Sequence, residues 1–574
     1  MLPGKFGISR YMKVSDYIVE YLINKGVKDV FGYPGGMVTH LMDSLNKYKG
    51  EIDSHLTYHE QAAAFSACGY AQSTGKVGVA YATSGPGATN LITGICNAYF
   101  DSIPVLFITG QVNTNESKGD FNVRQRGFQE TDIVAMVEGV TKYAVSITDA
   151  ALMKYELDKA FSIMQEGRKG PVLLDIPMNI FRADIKPDAL GGYIEDNKGL
   201  DNNYSVLLDK LYKAKRPVFL IGNGIKLSNS SNVLNDVVNK LQIPTVSSML
   251  AVDALGDNDL NFGFIGAYGD REANFIVNKS DLVISLGARL DVRQVGAVRS
   301  NFAPTAEIVR VDIDEGELSY KVHDDEIQIK ADVYDVLSFI NNNIKVQLDI
   351  DEWIGVCNEI KSKLRGIDEK RPNRLIKALS HYMPEDIEIF TDVGQNQVWV
   401  AQSLPVKKRK VYYSGGHGAM GYSLPAAIGA CIANKVPIVS VNGDGGIQMN
   451  IQELQTIARE KLPVKIIVLN NYSLGMIRHF QEMYFEDRYV QTVSSGGYTV
   501  PDFKAIANAY GINYFYVESE EDISADLFAS DKATIIEIGL NENTYVFPKL
   551  EFGKPNNDQE PLMDRELFDY LNGL

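Results

Sequence analysis

Two polar positions that each follow an apolar run carry the strongest chemical signal in the chain. Asp444 follows the run 436–442, and Asn471 follows the run 464–469. The segment 451–459 between them has apolar residues at helical spacing, so the pattern predicts a strand–helix–strand unit with parallel strands. The carboxyl ends of such strands meet at one edge of the sheet, where open α/β sheets bind ligands. A carboxylate, an amide oxygen and a nearby backbone carbonyl form a hard oxygen set suited to Mg²⁺ holding a diphosphate.

The glycines around Asp444 support this interpretation, because glycine lets the backbone approach phosphate oxygens closely. They are Gly443, Gly445 and Gly446. A Gly-Asp-Gly turn in any α/β protein is the alternative. With Asn471 at this spacing, the stretch resembles the fingerprint of thiamine diphosphate (ThDP) enzymes. The resemblance implies that Asp444, Asn471 and the backbone carbonyl of Ser473 bind the metal.

Glu60 is a second candidate for a residue that contacts the same cofactor. ThDP supplies the carbanion chemistry, and the protein supplies geometry and proton control. That control needs a carboxylate on N1′ of the aminopyrimidine. Glu60 stands at a predicted strand-to-helix junction, where an acid could reach a bound ring. The alternative is a first-turn glutamate favoured by the helix dipole.

The surroundings of Glu60 and many other stretches resemble the acetohydroxyacid (acetolactate) synthases. In chain order, the matching stretches are 31–36 (FGYPGG), 58–64 (YHEQAAA), 69–71, 83–90 (TSGPGATN), 101–104, 109–112, 128–130, 287–289, 311–314, 391–395, 415–421 (GGHGAMG) and 474–476. They extend over nearly the whole chain and occur in the family's order.

The resemblance assigns residues to the ThDP site. Glu60 is the implied N1′ carboxylate, and Met420 is the implied apolar wedge beneath a bent cofactor, with a core methionine as the alternative. Gln395 and Asn396 are implied to contact the diphosphate, although the family usually has His at the second position. Further implied cofactor contacts are Pro34, Ser84, Asn90, Gly418, Leu474, Gly475 and Met476.

Three residues of the N-terminal part are implied to line the reacting centre. Gly36 could offer a backbone N–H to a developing oxyanion, and Gln129 could donate a hydrogen bond to it. Phe128 is placed beside them, with ordinary packing as the alternative.

The middle of the chain resembles the FAD-binding domain of the synthases. The implied flavin-contacting residues are Gly222, Gly224, Arg289, Asp291, Arg293 and Asp312. A GxG after a strand is also an ordinary tight turn, but together with the Arg-Leu-Asp-Val-Arg segment it implies bound FAD. Its role would be structural, because decarboxylation and carboligation transfer no net electrons.

The acceptor side departs from the family pattern. Phe480 stands where the synthases generally carry a Trp that favours 2-oxobutyrate, and its smaller ring widens the predicted pocket. Met476 lies on the same segment. Arg293 is the implied cation for an acceptor carboxylate, with a surface arginine or a flavin contact as alternatives. The tail 547–561 is unlike the usual synthase ending and is similar to tails of synthase-like enzymes that handle sugars.

Three functions fit these features. The first is acetolactate synthase, in which pyruvate loses CO₂ and the hydroxyethyl unit joins a second 2-oxoacid. The second is transfer of the two-carbon unit to a bulkier ketone such as a nucleotide-linked ketosugar. The third is a ThDP-binding homologue without turnover, against which the intact Glu60, Asp444 and Asn471 argue.

The alternation of strands and helices predicts α/β domains with doubly wound parallel sheets. At 574 residues the chain is long enough for roughly three or four domains. We predict a pyrimidine-binding domain at 1–186, a central FAD-type domain at 201–345, a diphosphate-binding domain at 373–546 and a surface tail at 547–574. The first and third of these domains have similar lengths and a similar alternation of strands and helices. The predicted strands are 30–33, 54–57, 78–82, 104–109, 171–176, 217–222, 243–247, 281–286, 308–312, 387–391, 411–414, 437–441, 464–469 and 533–538.

Composition narrows the partners and the compartment. A net charge of −17 argues against binding to nucleic acid or to an anionic membrane. The N-terminus has no apolar signal core, and no run of about 18 apolar residues occurs. The four cysteines lie far apart without metal-type spacing, so a cytoplasmic protein is expected. The family resemblance implies small 2-oxoacid substrates and a dimer or tetramer whose active site joins the Glu60 domain of one subunit to the Asp444 domain of its partner.

Overall fold

The computed structural model describes residues 11–194 and 204–574. Residues 195–203, around the boundary between the first two predicted domains, lie outside the described residues. Three parallel sheets of six strands each follow one another along the chain. We call the parts of the chain that contain them the first, middle and third units. The predicted fold class of three doubly wound parallel-sheet units is confirmed.

Among its described residues, the first unit contains eight strands and eight α-helices. The strands are β1 Met12–Lys13, β2 Asp29–Gly32, β3 Asp53–Leu56, β4 Gly78–Ala82, β5 Val105–Gln111, β6 Tyr143–Ser146, β7 Val172–Pro177 and β8 Asp184–Ile185. The helices are α1 Val14–Asn24, α2 Thr39–Lys47, α3 Glu60–Thr74, α4 Pro86–Asn90, α5 Ile92–Phe100, α6 Ile133–Val137, α7 Met153–Gln165 and α8 Met178–Phe181. The sheet order is β3-β2-β4-β5-β7-β6, and β1 pairs with β8 in a separate antiparallel ribbon.

The middle unit has a different strand order from the first. Its strands are β9 Pro217–Ile221, β10 Thr245–Ser247, β11 Asn261–Phe264, β12 Leu282–Leu286, β13 Glu307–Asp312 and β14 Ile327–Lys330. Its helices are α9 Ser205–Lys213, α10 Gly224–Leu227, α11 Ser231–Leu241, α12 Arg271–Lys279, α13 Val292–Val295, α14 Glu315–Ser319 and α15 Val333–Asn343, followed by the connecting helix α16 Asp351–Leu364. The order β11-β10-β9-β12-β13-β14 is the doubly wound order of dinucleotide-binding sheets.

The third unit repeats the topology of the first. Its strands are β15 Glu388–Thr391, β16 Lys410–Tyr412, β17 Ile438–Gly443, β18 Val464–Asn470, β19 Asn513–Val517 and β20 Thr534–Gly539. Its helices are α17 Arg371–Tyr382, α18 Gln395–Ser403, α19 Ser423–Asn434, α20 Asp444–Gln448, α21 Leu454–Glu460, α22 Gly475–Tyr484, α23 Phe503–Tyr510 and α24 Asp526–Ala529. Its order, β16-β15-β17-β18-β20-β19, matches strand for strand that of the first sheet.

Six strands of the described residues were absent from the sequence prediction. Two are the ribbon strands β1 and β8, and the other four lie at the edges of the six-stranded sheets. These four are β6, β11, β14 and β19. An edge strand buries only part of its surface, so it lacks the continuous apolar run by which the central strands were found.

The tail does more than run along the surface. It ends in helix α25 (Arg565–Gly573), which was not predicted. Leu571 on this helix is fully buried, and the ring of Phe568 packs edge-on against Phe275 of the middle unit at 5.7 Å between centroids. The tail therefore packs against the middle unit through an apolar face.

The first and third units share one apolar core within a single chain. Their contact is the crossing of α3 and α19, where small residues bring the two backbones together. A Cβ on Gly69 would lie 2.0 Å from the carbonyl oxygen of Ala426, and a Cβ on Gly429 would lie 1.9 Å from that of Ser66. Within the described residues, no helix is both long and apolar enough to cross a membrane.

The crossing makes a stability prediction. Gly69→Ala forces α3 and α19 apart, so we expect it to lower the free energy of unfolding by about 1–3 kcal/mol, the usual cost of overpacking. The change is read as a fall in the thermal midpoint. Gly355→Ala is the matched control, because Gly355 is exposed on helix α16 and a Cβ there meets no atom within 4 Å. This control should gain about 0.5–1 kcal/mol; equal effects of the two changes would contradict the close crossing.

Candidate active site

Asp444 and Asn471 lie together at the carboxyl edge of the third sheet, as the spacing predicted. β17 and β18 pair in parallel up to Gly443 and Leu469, so the residues that follow them are neighbours. Oδ2 of Asp444 accepts the backbone N–H of Ser473 at 3.2 Å. Nδ2 of Asn471 donates to Gln395 at 3.4 Å, which leaves the amide oxygen of Asn471 without a donor among the described residues.

Several buried polar atoms at this edge have no partner in the part of the chain that the structure describes. They are Nε2 of Gln395, Oδ1 of Asn396 and Oγ of Ser473. Because buried polar groups are nearly always hydrogen-bonded, this cluster calls for a polar ligand. Helices α18, α20 and α22 all begin here, and the positive end of a helix dipole favours an anion. A Cβ on Gly475 would lie 2.1 Å from Oε1 of Gln395, so a side chain there would displace the amide of Gln395.

The electrostatics of Asp444 call for a cation. The residue is 2% exposed, and burial raises the pKa of its carboxyl to about 7, although backbone N–H groups of Gly445 and Ser473 lower it in part. Within the described residues, no group of three His, Cys, Asp or Glu side chains could hold a metal. A metal here must therefore draw on amide, carbonyl and ligand oxygens as well as the one carboxylate. The set Asp444, Asn471 and Ser473 fits that requirement.

An apolar wall lies over Gly445. A Cβ at this glycine would be 3.4 Å from the methyl carbon of Met420, 2.6 Å from a methyl of Leu474 and 3.1 Å from the phenolic oxygen of Tyr498. Burial raises the pKa of Tyr498, which also lies beside the carboxyl of Asp444. The structure thus brings Met420 and Leu474 to the predicted cofactor cleft and adds Tyr498, which the sequence analysis missed.

The loop that carries Met420 is fixed by Asp392, a second residue that the sequence analysis did not assign to the site. Asp392 is fully buried, and its carboxylate accepts the N–H groups of Gly421 and Ser423 at 3.0 and 3.1 Å. Burial raises the pKa of Asp392 to about 6. The sequence did contain a signal for Asp392, because this residue lies in the stretch 391–395 that resembles the synthase family.

Glu60 occupies the first turn of α3 at the carboxyl edge of the first sheet. His59 caps the helix by accepting the N–H of Gln61 at 3.0 Å, and Oε2 of Glu60 accepts from Nδ2 of Asn90 at 2.9 Å. Glu60 is 9% exposed, with no cationic partner among the described residues. A nearby hydroxyl, Oγ of Ser84, is buried without a partner.

Loops from three strands bring the other predicted first-unit residues to this edge. Thr83 Oγ1 accepts the N–H of Met37 at 3.2 Å, which places the loop of Pro34 and Gly36 beside Ser84. A Cβ on Gly36 would meet nothing within 4 Å, whereas one on Gly85 would lie 2.9 Å from Cβ of Gln129. Gln129 itself has a left-handed φ of 63°. Phe128 is 80% exposed, so packing within the chain does not account for it.

Glu130 organises the loop that presents Phe128 and Gln129. Its carboxylate accepts N–H groups of Lys118, Arg126 and Gly127 and the hydroxyl of Ser117. Burial alone would raise the pKa of Glu130, but these donors lower it to about 2. The sequence analysis quoted Glu130 within a family stretch and gave it no role.

The two halves of the predicted site are not joined by a hydrogen bond or ion pair within the described residues. The neighbours of Glu60 do contact the third unit: Gln61 accepts from Asn450 at 3.1 Å, and the N–H of Tyr58 donates to Glu453 at 2.8 Å. These contacts involve residues beyond the end of α20, whereas Asp444 lies at its start.

A cavity of about 450 Å³ opens between the three units. It is lined by four of the predicted flavin-contacting residues, Gly224, Arg289, Asp291 and Asp312. Gly222 lies behind the lining, where a Cβ would be 2.1 Å from the carbonyl oxygen of Gly287. Arg293 is exposed and does not line the cavity.

Charges of both signs surround this cavity. Arg168 pairs with Asp314 at 3.0 Å and with Glu317, which also pairs with Arg289 at 3.1 Å. Burial raises the pKa of Asp312 at the end of β13 and raises that of Asp101 to about 6.

Phe480 and Met476 lie on α22, which begins at the Asp444 edge. Phe480 is 48% exposed, and its ring packs against Tyr484 and Phe485 with centroids 4.7 and 5.9 Å away. Met476 is half-buried. The helix therefore presents an aromatic face next to the cofactor cleft.

Comparison with known proteins shows that the chain matches a known family of enzymes. Residues 12–136, 205–340 and 392–538 match the N-terminal TPP binding domain, the central domain and the C-terminal TPP binding domain of thiamine pyrophosphate enzymes. These ranges fall inside the three predicted domains, whose boundaries stay predictions.

Full-length relatives match as well. The acetolactate synthase large subunit of Lactococcus lactis subsp. lactis (strain IL1403) is 37% identical over 555 residues, covering 94% of both chains. The acetolactate synthase isozyme 2 large subunit of Escherichia coli (strain K12) is 33% identical over 559 residues, 95% of this chain and 99% of that one. The Haemophilus influenzae acetolactate synthase large subunit is 34% identical over 558 residues, 93% and 95% of the two chains. With the two TPP-binding units arranged as described, the chain belongs to the acetolactate synthase large-subunit family of thiamine pyrophosphate enzymes.

Proposed function

We propose that this chain is a ThDP-dependent acetolactate synthase, which decarboxylates pyruvate and joins the resulting two-carbon unit to a second 2-oxoacid. The observation that carries the proposal is the cluster at the third-sheet edge. There a buried carboxylate that needs a cation adjoins unpartnered polar atoms and helix N-termini that suit an anion. A diphosphate bridged by Mg²⁺ satisfies both demands.

Residues of the third unit hold the cofactor. Asp444, Asn471 and the carbonyl of Ser473 bind the Mg²⁺, while Gln395 and Asn396 donate to or orient diphosphate oxygens. Met420 and Leu474 pack against the bound cofactor and exclude water from it. When bound, ThDP supplies a carbanion equivalent that cleaves and forms the carbon–carbon bonds.

Residues of the first unit control protons and charge. Glu60 holds a proton at N1′ of the aminopyrimidine, and Asn90 fixes its carboxylate through the 2.9 Å hydrogen bond. The backbone N–H of Gly36 and the amide of Gln129 donate to the oxygen on which negative charge develops. Arg293 and the aromatic face of Phe480 bind the acceptor.

FAD is proposed as a structural cofactor in the cavity between the units. The middle sheet has the dinucleotide-binding strand order. Asp312 ends β13 at the carboxyl edge of this sheet and lines the cavity, where its carboxylate would accept hydrogen bonds from hydroxyls of the nucleotide. Bound FAD would fasten the three units together, and none of the proposed steps uses it for electron transfer.

The active site is proposed to form between two chains. Exposed apolar side chains surround both half-sites, which is typical of surfaces that a partner covers. They are Phe121, Val123 and Phe128 in the first unit and Ile477, Phe480, Phe485 and Val490 in the third.

The four cysteines are free thiols, which fits the predicted cytoplasmic location.

Product analysis tests the activity. Purified protein with ThDP, Mg²⁺ and pyruvate is expected to release CO₂ and form acetolactate, and Glu60→Gln should reduce turnover at least about 100-fold, the lower range for lost proton control. The Glu60→Gln variant should still bind ThDP, measured by calorimetry, because the metal site is intact. CO₂ release that requires an added ketosugar would instead favour transfer to a bulkier ketone. No turnover with any 2-oxoacid would leave the non-catalytic alternative.

Co-expression of two inactive variants tests whether the site is shared. Glu60→Gln and Asp444→Ala damage different half-sites, so mixed dimers contain one intact site. We expect the mixture to regain up to about a quarter of wild-type activity, since half of randomly paired dimers are mixed and carry one good site of two. Each variant alone is the control. A mixture as inactive as its components would show that both residues act within one chain.

Phe480→Trp tests the acceptor pocket. The larger ring would bring the pocket wall beside α22 into contact with the extra methylene of 2-oxobutyrate. We therefore expect the ratio of 2-oxobutyrate to pyruvate use as acceptor to rise by up to roughly tenfold, since one methylene allows discrimination of that order. Competition between the two acceptors measures this ratio. Tyr484→Trp, on the same helix, is the control for a general effect of added bulk, and an unchanged ratio in Phe480→Trp would exclude residue 480 from the pocket.

A further inference from the structure

His417 is a titratable side chain that none of the proposed steps uses. It lies on the loop 414–421, which joins the two proposed cofactor sites. Met420 on this loop lies over the ThDP cleft, and Gly416 lines the cavity proposed for FAD. His417 stands between these two residues in the chain.

The loop that carries His417 is held at several points. Oγ of Ser414 accepts the N–H of Ala419 at 3.0 Å, which closes the loop on itself. Buried Asp101 of the first unit accepts the N–H groups of Gly415 and Gly416 at 3.1 and 2.7 Å. The backbone at residue 417 is therefore fixed, whereas its side chain is exposed.

The imidazole stacks flat on one aromatic ring and makes no polar contact. Its ring is 5.8 Å from that of Phe100, with 8° between the planes. Neither ring nitrogen has a hydrogen-bond or ion-pair partner in residues 11–194 and 204–574. Burial lowers the pKa of His417, which favours the neutral imidazole, and a neutral imidazole offers one N–H donor and one acceptor.

We propose that His417 binds the acceptor 2-oxoacid by donating its ring N–H to an oxygen of that molecule; this assignment rests on the proposed function. The acceptor must reach the two-carbon unit at the open side of the cofactor cleft. A neutral donor on a fixed loop, held against an aromatic ring, loses little freedom when it binds a keto or carboxylate oxygen. Phe480 would contact the apolar part of the acceptor, and His417 would orient its oxygens.

Two substitutions separate hydrogen bonding from packing. His417→Phe keeps a flat ring on Phe100 and removes the donor, whereas His417→Gln keeps a donor and removes the ring. Acetolactate formation reports on the acceptor. Decarboxylation of pyruvate with ferricyanide, which oxidises the two-carbon unit, requires no acceptor 2-oxoacid and reports on the remaining steps.

We expect His417→Phe to lower kcat/KM for acetolactate formation about tenfold, the value of one well-placed hydrogen bond. Ferricyanide-coupled CO₂ release should stay within about twofold of wild type, and His417→Gln should recover most of the lost acetolactate formation. An equal fall in both reactions, or no fall in either, would overturn the assignment. Loss of flavin absorbance with acetolactate formation unchanged would assign the ring to the flavin instead. A wild-type protein without either reaction would refute the proposed function itself.

Discussion

The third-sheet edge depends on one buried negative charge. Asp444 is almost fully enclosed, and no Lys, Arg or His among the described residues pairs with it. A carboxylate in such a place is costly unless a cation joins it. Yet two helices, α18 and α22, begin beside it, and the positive ends of their dipoles favour an anion. A site that demands a cation and an anion at adjacent points selects a metal-bridged polyanion over either ion alone.

The symmetry of the fold gives the two proposed half-sites equivalent positions in the first and third units. The first and third sheets have the same strand order, and α3 and α19 are equivalent helices. Each lies between the second and third strands, in chain order, of its six-stranded sheet. They cross reciprocally: Gly69 packs on Ala426, and Gly429 packs on Ser66. Such a crossing relates the two units by an approximate twofold axis inside one chain. Because α3 starts at Glu60, the packing of this helix also sets where the carboxylate lies.

Much of this architecture could be predicted from the sequence, and the failures have a common physical origin. Central strands are buried on both faces, so their apolar runs mark them plainly. The edge strands carry half-exposed residues, as in Tyr143–Ser146 and Asn513–Val517, and read as loops. The same limit applies to the site. Asp444, Asn471 and Glu60 follow strands and could be found, whereas the contacts of Asp392 with Gly421 and Ser423 span about 30 residues, a distance that no local pattern reveals.

The loops of the two proposed half-sites are held rigidly within one chain, whereas the large apolar side chains beside them are left exposed. Asp392 and Glu130 fix their loops through several hydrogen bonds each, which leaves little freedom to the backbone near Met420 and Gln129. In contrast, Phe128 and Phe480 extend into solvent although both are large and apolar. A second surface that covers these aromatic rings and encloses the reacting centre would explain why rigid loops hold them exposed. Such a cover excludes water from the place where charge develops on the substrate. The single chain therefore fixes the loops of the proposed cofactor site, and the dimer proposed above would supply the surface that closes around the reacting atoms.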